Sequence, residues 1–263
     1  TRAAALSARG VAPLTSLETA VGAAAIAAEA AVRPTSPPLR MTAPAEGPTA
    51  LLDEPEAKRR LAGFGLAVPE GRLAETPEAV GEAARALGGA VAVKRLGLAH
   101  KTEAGGVALA PADPAAAARA MGAGPWLVER MVAGGVGELL IGFRRDPAWG
   151  LVLTVGAGGI LAELMEDAAT LALPVTAEEA RAALGGLRIG RVLAGWRGRP
   201  AGDVEAAAAA ALALCAFAEA NAATLEEAEV NPLIVTADGA VAADALVRLR
   251  GPGVGGTEAA GHL

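Results

Sequence analysis

The sequence of 263 residues contains one cysteine and few aromatic residues. With Cys215 as its only cysteine, the chain cannot form an internal disulfide, which suits the reducing cytosol, so we expect a cytoplasmic protein. Cys215 itself lies in an apolar helical run, which is typical of a small buried side chain and not of a catalytic thiol. Aromatic residues make up 2% of the chain and hydrophobic residues 53%, many of them alanine, so any helices must pack closely around small side chains.

The chain also lacks a positive net charge and a long hydrophobic run. Its formal net charge of −6 excludes the broadly basic face on which non-specific nucleic-acid binding depends. The richest apolar run, Val204 to Ala218, is bounded by Glu205 and Glu219. It is shorter than the roughly 18 to 20 residues that a membrane-spanning helix needs. We therefore expect neither a nucleic acid nor a membrane as a partner.

Proline marks a predicted boundary near the start of the chain. Residues 34–50 contain five prolines among threonine, serine and glycine, a composition typical of a linker. Ahead of it, residues 1–33 predict a short helix and an alanine-rich helix capped by Thr15 or Ser16. This segment is like the last βα unit of a fold that begins upstream. Because the chain starts at Thr1 and not at methionine, we expect it to be a piece of a longer polypeptide.

From Leu51 onward, predicted helices and strands are intermixed. Helix starts are indicated at Thr76 and Asp113, each of which is followed by proline. Apolar strands are predicted between residues 126 and 155, and a turn at Asp238-Gly239 predicts an antiparallel pair towards the end of the chain. Several hairpins among helices indicate a mixed α+β fold and not a doubly wound parallel sheet.

The stretch 91–107 combines a strand with a cationic, glycine-rich connection. Lys94 closes the strand, Lys101 follows in the connection, and Gly105 and Gly106 lead into a second alternating run. Glycine lets backbone N–H groups approach an anion closely, and ammonium groups neutralise its charge, so the stretch is a candidate phosphate loop. The alternative is a solvated lysine-rich turn without a ligand.

Two glutamates flank the next connection. Glu129 ends one predicted strand and Glu138 begins the following one. Their carboxylates could accept hydrogen bonds from ribose hydroxyls while the backbone between them contacts adenine. The alternative is a pair of solvated strand ends.

Near the end of the chain, polar side chains with oxygen atoms are grouped on one hairpin. Glu229 and Asn231 are two residues apart on a strand and share a face, which Asp244 on the partner strand could also join. Carboxylate and amide oxygens suit Mg²⁺, which takes one or two protein ligands and substrate phosphates. The alternative is a polar hairpin face, which Pro232 directly after Asn231 makes less fitting.

Other catalytic patterns are not indicated. The run Gly156-Ala157-Gly158-Gly159 follows an apolar strand but lacks the spacing of a dinucleotide-binding turn. Because Cys215 lies on a core-type helix, neither a Cys–His nor a Ser–His–Asp arrangement is suggested.

Taken in order, these motifs resemble those of one known family. They are Val93-Lys94, the run His100-Lys101-Thr102-Glu103-Ala104-Gly105-Gly106-Val107, Leu127-Val128-Glu129, Glu138-Leu139-Leu140-Ile141-Gly142, Asp146-Pro147, Gly156-Ala157-Gly158-Gly159-Ile160, and Glu229-Val230-Asn231-Pro232-Leu233 with Asp244. Together they resemble the ATP-grasp part of the ADP-forming acyl-CoA synthetases and, more distantly, the succinyl-CoA synthetase β chain. The resemblance covers about residues 50–250.

The resemblance implies two α+β lobes that grip ATP, expected at residues 51–125 and 126–250, with a flexible tail at 251–263. It implies that Lys94, with Gly105 and Gly106, contacts the nucleotide phosphates. Glu129 and Glu138 would lie near the ribose and adenine. The Mg²⁺ ligands implied are Asn231 and Asp244, with Glu229 beside them.

The resemblance also implies a reaction. His100, followed by Lys101, matches a histidine that this family can phosphorylate, so both are expected catalytic residues. The implied reaction converts a carboxylic acid, CoA and ATP to acyl-CoA, ADP and phosphate through a phosphohistidine. The partners would be CoA-binding and CoA-ligase domains, either upstream in the same polypeptide or on a separate subunit. Residues 1–33 are similar to the tail of that flavodoxin-like ligase domain.

Two other functions remain open at this point. The same architecture could serve as the regulatory module of a protein acetyltransferase, or as a nucleotide-binding domain without catalysis. The intact His100-Lys101 pair favours the catalytic version.

Overall fold

A computed structural model describes residues 2–10, 13–14, 16–32, 41–97, 104–159 and 167–251. The chain divides into two compact units, Thr1–Pro38 and Leu39–Leu263, and this division falls inside the predicted linker. His100 and Lys101 lie outside the described residues, as does the predicted tail after Gly251.

The described residues form helices in both units of the chain and strands in the second unit. The helices are α1 (Arg2–Ser7), α2 (Leu17–Val32), α3 (Glu54–Ala62), α4 (Pro77–Leu87), α5 (Pro114–Ala120), α6 (Ala177–Gly186), α7 (Gly190–Leu193) and α8 (Val204–Ala220). The strands are β1 (Thr49–Leu51), β2 (Gly71–Ala74), β3 (Val91–Arg95), β4 (Val107–Leu109), β5 (Trp126–Arg130), β6 (Gly137–Asp146), β7 (Gly150–Ala157), β8 (Ala168–Ala172), β9 (Leu225–Thr236), β10 (Gly239–Ala242) and β11 (Ala245–Arg250). This mixture confirms the predicted α+β class.

The first unit consists of helices α1 and α2 among its described residues. The hydroxyl of Ser16 accepts a hydrogen bond from the Thr19 amide at 3.1 Å, which agrees with the predicted capping of the second helix. Thr15 lies outside the described residues. Kinship of this segment to a flavodoxin-like ligase domain stays a prediction.

In the second unit, a small antiparallel sheet has the strand order β2-β5-β3-β4. Helices α4 and α5 pack against it, and the core between them contains Val80, Val93 and Val128. Thr76 and Asp113 cap the two helices by accepting hydrogen bonds from the amides three residues on, as the sequence predicted. The sheet includes β5, because its residues pair with both β2 and β3. The boundary expected between residues 125 and 126 therefore lies before β5, although β5 is part of this small sheet.

A larger antiparallel sheet has the strand order β1-β11-β9-β6-β7-β8, and β10 pairs with β9. Helix α3 packs against β11 of this sheet, and its residues Ala57 and Leu61 belong to the large core. The order of elements along the chain predicted that α3 belongs to the first lobe. In the structure, its buried apolar face packs against the large sheet instead.

Helix α8 shows how a chain with few aromatic residues fills its core. Its alanines at 207, 211 and 218 are fully buried, so the helix lies close to the sheet beneath it. Cys215 is buried in the same helix, as predicted, and burial raises the pKa of its thiol to about 12. The thiol is therefore protonated at neutral pH and serves as a small packing group.

The predicted final hairpin is present, with one difference. Strands β9 and β10 pair across the turn at residues 237 and 238. Strand β10 ends at Ala242, however, so Asp244 lies in the connection to β11 and not on a strand. Its carboxylate accepts a hydrogen bond from the Ala245 amide at 2.8 Å, which helps to turn the chain there.

Of the helices in the described ranges, none has the length and apolar content to cross a membrane.

The large core depends on a small number of big side chains. Phe217 is 1% exposed and its ring packs edge-on against Phe64, with 5.4 Å between centroids. We expect Phe217→Ala to lower the free energy of unfolding by about 3–5 kcal/mol, since it leaves a cavity in a core of small residues. Phe64, which is 38% exposed, is the matched control, and Phe64→Ala should cost clearly less. Equal losses in urea denaturation would contradict this account of the core.

Candidate functional site

The site begins with the first turn of α3. Asp53 accepts a hydrogen bond from the Glu56 amide at 2.9 Å and so caps the helix. Glu54 and Lys58 are four residues apart and therefore lie on the same face of the helix. Both side chains are buried, which is unusual for charged residues unless they are paired.

The small sheet supplies two more buried charges. Glu129 on β5 lies opposite Ala92 on β3, and Lys94 lies two residues further along β3, on the same face of the sheet. Gly71 on β2 lies opposite Glu129, and a Cβ there would come within 3.0 Å of the Glu129 side chain. A glycine at this position leaves room for the carboxylate.

Glu54, Lys58, Lys94 and Glu129 form one ion cluster. The Lys94 ammonium lies 2.6 Å from a Glu54 oxygen and 2.8 Å from a Glu129 oxygen. The Lys58 ammonium lies 2.9 Å from the same Glu54 oxygen and 2.7 Å from both oxygens of Glu129. Each ammonium thus contacts both carboxylates, and the four side chains are between 3% and 6% exposed.

The backbone carbonyl of Ala243 completes the cluster. It accepts a hydrogen bond from Lys58 at 2.6 Å and another from Lys94. Ala243 lies in the connection between β10 and β11 and directly precedes Asp244. The cluster therefore joins helix α3, the small sheet and the connection that holds Asp244.

The two lysines differ in their electrostatic surroundings. Burial alone would lower the pKa of Lys94, but the charges of Glu54, Glu129 and Asp244 outweigh it and raise that pKa above its usual value. Burial, together with the charge of Lys94, lowers the pKa of Lys58. Lys94 is accordingly the more firmly charged of the two.

The predicted metal ligands Glu229, Asn231 and Asp244 come together beside the cluster. The amide of Asn231 donates to the Asp244 carbonyl at 3.3 Å, and the peptide bond from Asn231 to Pro232 is cis. Burial and the negative charges of Glu227 and Asp244 raise the pKa of Glu229, while a hydrogen bond from Asn231 opposes that shift. Two carboxylates that repel each other next to an amide oxygen fit a hard divalent cation, which would relieve the repulsion.

This oxygen group contains two carboxylates and one amide. Across the described ranges, no group of three or more histidine, cysteine, aspartate or glutamate side chains is placed to hold a metal ion. A cation bound here would therefore keep water molecules or take ligand oxygens, as Mg²⁺ commonly does.

The glycine-rich turn after β7 brings Glu138 to the same region. The amide of Gly158 donates to the Glu138 carbonyl at 2.8 Å, and the amide of Gly159 donates to the Asn231 side-chain oxygen at 3.0 Å. A Cβ on Gly158 would lie 2.4 Å from the Leu139 carbonyl carbon, and one on Gly159 would lie 2.0 Å from a Glu138 carboxylate oxygen. Glycine suits both positions, because a Cβ at position 158 would clash with backbone and Gly159 has a φ of +73°, so the turn binds Asn231 and borders Glu138 at once.

The phosphate-loop glycines are placed at the start of β4. Gly105 has a φ of +67°, a conformation that glycine adopts readily, and the Gly106 carbonyl accepts from the Arg95 amide at 2.8 Å. They therefore close the β3–β4 hairpin that the sequence predicted.

Sequence reasoning missed half of the ion cluster. Glu54 and Lys58 were part of a predicted helix start, where acidic residues favour the helix dipole and need no further role. The signal that could have found them is their four-residue spacing on the face that also carries Ala57 and Leu61, since a charge among core positions needs a partner. Glu129 was expected to face a ribose, whereas both its oxygens contact lysines.

The chain is similar to a known domain family and to several characterised proteins. Residues 42–249 match the ATP-grasp domain family. The chain is 30% identical to the β subunit of acetate–CoA ligase (ADP-forming) II of Pyrococcus furiosus, over 79% of this chain and 94% of that subunit. It is 32% identical to the acetate–CoA ligase (ADP-forming) of Methanocaldococcus jannaschii, but there it spans 28% of the relative's length.

Solved structures agree with these relatives. The dinucleotide-forming acetyl-coenzyme A synthetase 1 of Candidatus Korarchaeum cryptofilum, in complex with coenzyme A, Ca-AMPCP and HgCl⁺, has a TM-score of 0.71 and 28% identity, over 76% of this chain and 94% of that chain. A second structure of that protein contains coenzyme A and Mg-AMPPCP, with a phosphohistidine segment pointing towards the nucleotide-binding site. Its TM-score is 0.65 at 27% identity, over 75% of this chain and 92% of that chain.

The ion cluster should contribute strongly to stability. Glu129→Gln would leave two buried ammonium groups with one carboxylate, and we expect a loss of about 3–5 kcal/mol in the free energy of unfolding. Glu205→Gln is the matched control, because Glu205 pairs with Arg181 at 2.8 Å but its side chain is 69% exposed. Urea denaturation compares the two variants. A Glu129→Gln protein as stable as the control would show that the four charges do not depend on one another.

Proposed function

Because the chain belongs to the ATP-grasp domain family, in the branch that includes the β subunits of ADP-forming acetate–CoA ligases, we propose that it is the ATP- and Mg²⁺-binding, phosphoryl-transfer module of an acid–CoA ligase. The overall reaction would be the conversion of a carboxylic acid, CoA and ATP to acyl-CoA, ADP and phosphate.

One observation supports this proposal above the others. The buried lysines and the oxygen group meet at adjacent residues. The Ala243 carbonyl accepts from Lys58 and Lys94, while the Asp244 carbonyl accepts from the Asn231 amide and the Asp244 charge helps to raise the pKa of Glu229. A polyphosphate needs cationic groups on one side and a divalent cation on the other, because charge spreads over its oxygens during transfer. Lys94, together with Gly105 and Gly106 before β4, would bind the phosphates of the nucleotide.

The other residues take their roles from this placement. Asn231 and Asp244, with Glu229 beside them, would hold Mg²⁺, which would offset the charge that develops on the phosphate oxygens. Glu138, exposed at the start of β6 and bordered by Gly159, would contact the ribose or adenine. Glu129 would act close to the nucleotide chiefly through the lysines that it holds.

The phosphoryl acceptor in this proposal is His100, with Lys101 beside it. A neutral imidazole is a competent nucleophile for a phosphoryl group, and a lysine next to it would stabilise the incoming negative charge. Both residues stay predictions that rest on the resemblance of their sequence run.

The remaining substrates and partners are also proposals. The chain covers most of one separate β subunit but under a third of a longer ligase, so CoA-binding and CoA-ligase domains would be supplied upstream in the same polypeptide or by a separate subunit. Such domains would bring CoA and the carboxylic acid. A cytoplasmic location stays a prediction from the single cysteine.

Nucleotide binding is the first test. Mg·ATP should raise the melting temperature of the chain, because a ligand that binds only the folded state stabilises it by about 2.7 kcal/mol at a hundredfold excess over Kd. The double substitution Asn231→Ala with Asp244→Ala should weaken Mg·ATP binding measured by calorimetry, whereas Asp238→Ala in the exposed turn of the same hairpin should not. An unchanged affinity in the double variant would refute the metal assignment, and no binding by the native chain would refute the function.

Phosphoryl transfer is the second test. With radiolabelled ATP and the ligase domains of a relative supplied, His100→Ala should abolish acid-labile labelling of this chain, since it removes the proposed acceptor nitrogen. His262→Ala removes the other histidine of the chain and serves as the control. Full labelling of the His100→Ala protein would exclude His100 as the acceptor.

A further inference from the structure

The contacts of the two lysines in the ion cluster overlap. The same Glu54 oxygen lies 2.6 Å from the Lys94 ammonium and 2.9 Å from the Lys58 ammonium. The carboxylate of Glu129 likewise contacts both ammonium groups, at distances of 2.7 to 2.8 Å. Each carboxylate therefore has two cationic partners, and the Ala243 carbonyl is shared in the same way.

Lys94 has no hydrogen-bond donor to spare within this arrangement. An ammonium group has three N–H bonds, and those of Lys94 are matched by Glu54, Glu129 and the Ala243 carbonyl. If Lys94 is to contact a phosphate oxygen, as the proposed function requires, it must give up at least one of these acceptors. Without another cation nearby, that step would leave a buried carboxylate unpaired, at a large energetic cost.

Lys58 is placed to prevent this cost. It already contacts both carboxylates and the same carbonyl, and it comes from α3, which is anchored in the large core through Ala57 and Leu61. Lys94 pairs across the β3–β4 ladder with Val107, which directly follows the proposed phosphate glycines Gly105 and Gly106, so it is the lysine on the nucleotide side.

On the premise of the proposed function, we propose that Lys58 is a positioning residue that keeps Glu54 and Glu129 paired when Lys94 turns to the nucleotide phosphates. Lys94 then forms a new charge-assisted hydrogen bond with the phosphate, while Lys58 still contacts both carboxylates, so that neither is left without a cationic partner. Lys58 thereby adjusts the affinity for the nucleotide without touching it.

The test compares dissociation constants for Mg·AMPPCP, measured by calorimetry on the full 263-residue chain. Lys58→Met should raise the dissociation constant about tenfold, because no cation then remains on either carboxylate when Lys94 turns to the phosphates. Glu54→Gln breaks the same ion pair but leaves Lys94 with one fewer charged partner, so it should leave the dissociation constant unchanged or lower it. A purely structural role would weaken binding in both variants. Arg60→Met, on the same helix but paired with Glu56 outside the cluster, is the control.

If Lys58→Met does not fold, a second pair of variants tests the same role of Lys58. Glu54→Gln and the double variant Glu54→Gln with Lys58→Gln both retain the Lys94–Glu129 pair, and the double variant keeps the cluster neutral. The double variant should bind Mg·AMPPCP about tenfold more weakly than Glu54→Gln alone, since Glu129 then loses its last cation when Lys94 turns to the phosphates. Equal affinities would overturn the role of Lys58.

A crystal structure of the complex with Mg·AMPPCP gives a direct reading. The proposal expects the Lys94 ammonium within hydrogen-bond distance of a phosphate oxygen, while Lys58 still contacts Glu54 and Glu129. A complex in which Lys94 keeps all its present acceptors overturns the proposal and leaves the proposed function standing. If the native chain does not bind Mg·AMPPCP at all, the proposed function and this inference fail together.

Discussion

Four buried charges that must compensate one another are the constraint on which this site depends. Desolvation would expel any one of Glu54, Lys58, Lys94 or Glu129 from the interior, and only mutual contact keeps them there. The charges come from a helix on the large sheet and from two strands of the small sheet, and they share the Ala243 carbonyl. The cluster thus fixes the two sheets relative to each other at the point where the proposed nucleotide site lies.

The glycine-rich turn makes a comparable contribution on the large sheet. Gly158 allows the backbone to approach Leu139 more closely than any side chain would permit, and Gly159 adopts a φ of +73° beside Glu138. The Gly159 amide then holds the side chain of Asn231, whose neighbour across the hairpin is Asp244. The oxygen atoms that we propose to hold a cation and the ammonium groups that we propose to bind phosphates are thus held next to each other, at the adjacent residues Asp244 and Ala243.

Much of the local structure followed from the sequence because it depends on neighbours in the chain. Thr76 and Asp113 mark helix starts through hydrogen bonds to amides three residues away. Glu229 and Asn231 share a face because alternate residues of a strand do so. The family resemblance was likewise readable, since it depends on ordered runs such as those around Lys94 and Asn231, and the comparisons confirm it. Cys215 was correctly expected to be a buried packing group.

The sequence by itself therefore determined the elements, the α+β class and the kinship of the chain. Only the tertiary structure decided which charges meet. Glu54 and Lys58 precede Glu129 by more than seventy residues, and no local pattern indicates that α3 leaves the small sheet and packs on β11. The physical reason is that burial and charge compensation depend on which residues are neighbours in space. A lysine in the acidic first turns of a helix is ordinary in sequence. It becomes a counter-ion shared by two carboxylates only when strands that are distant in the chain pack against it.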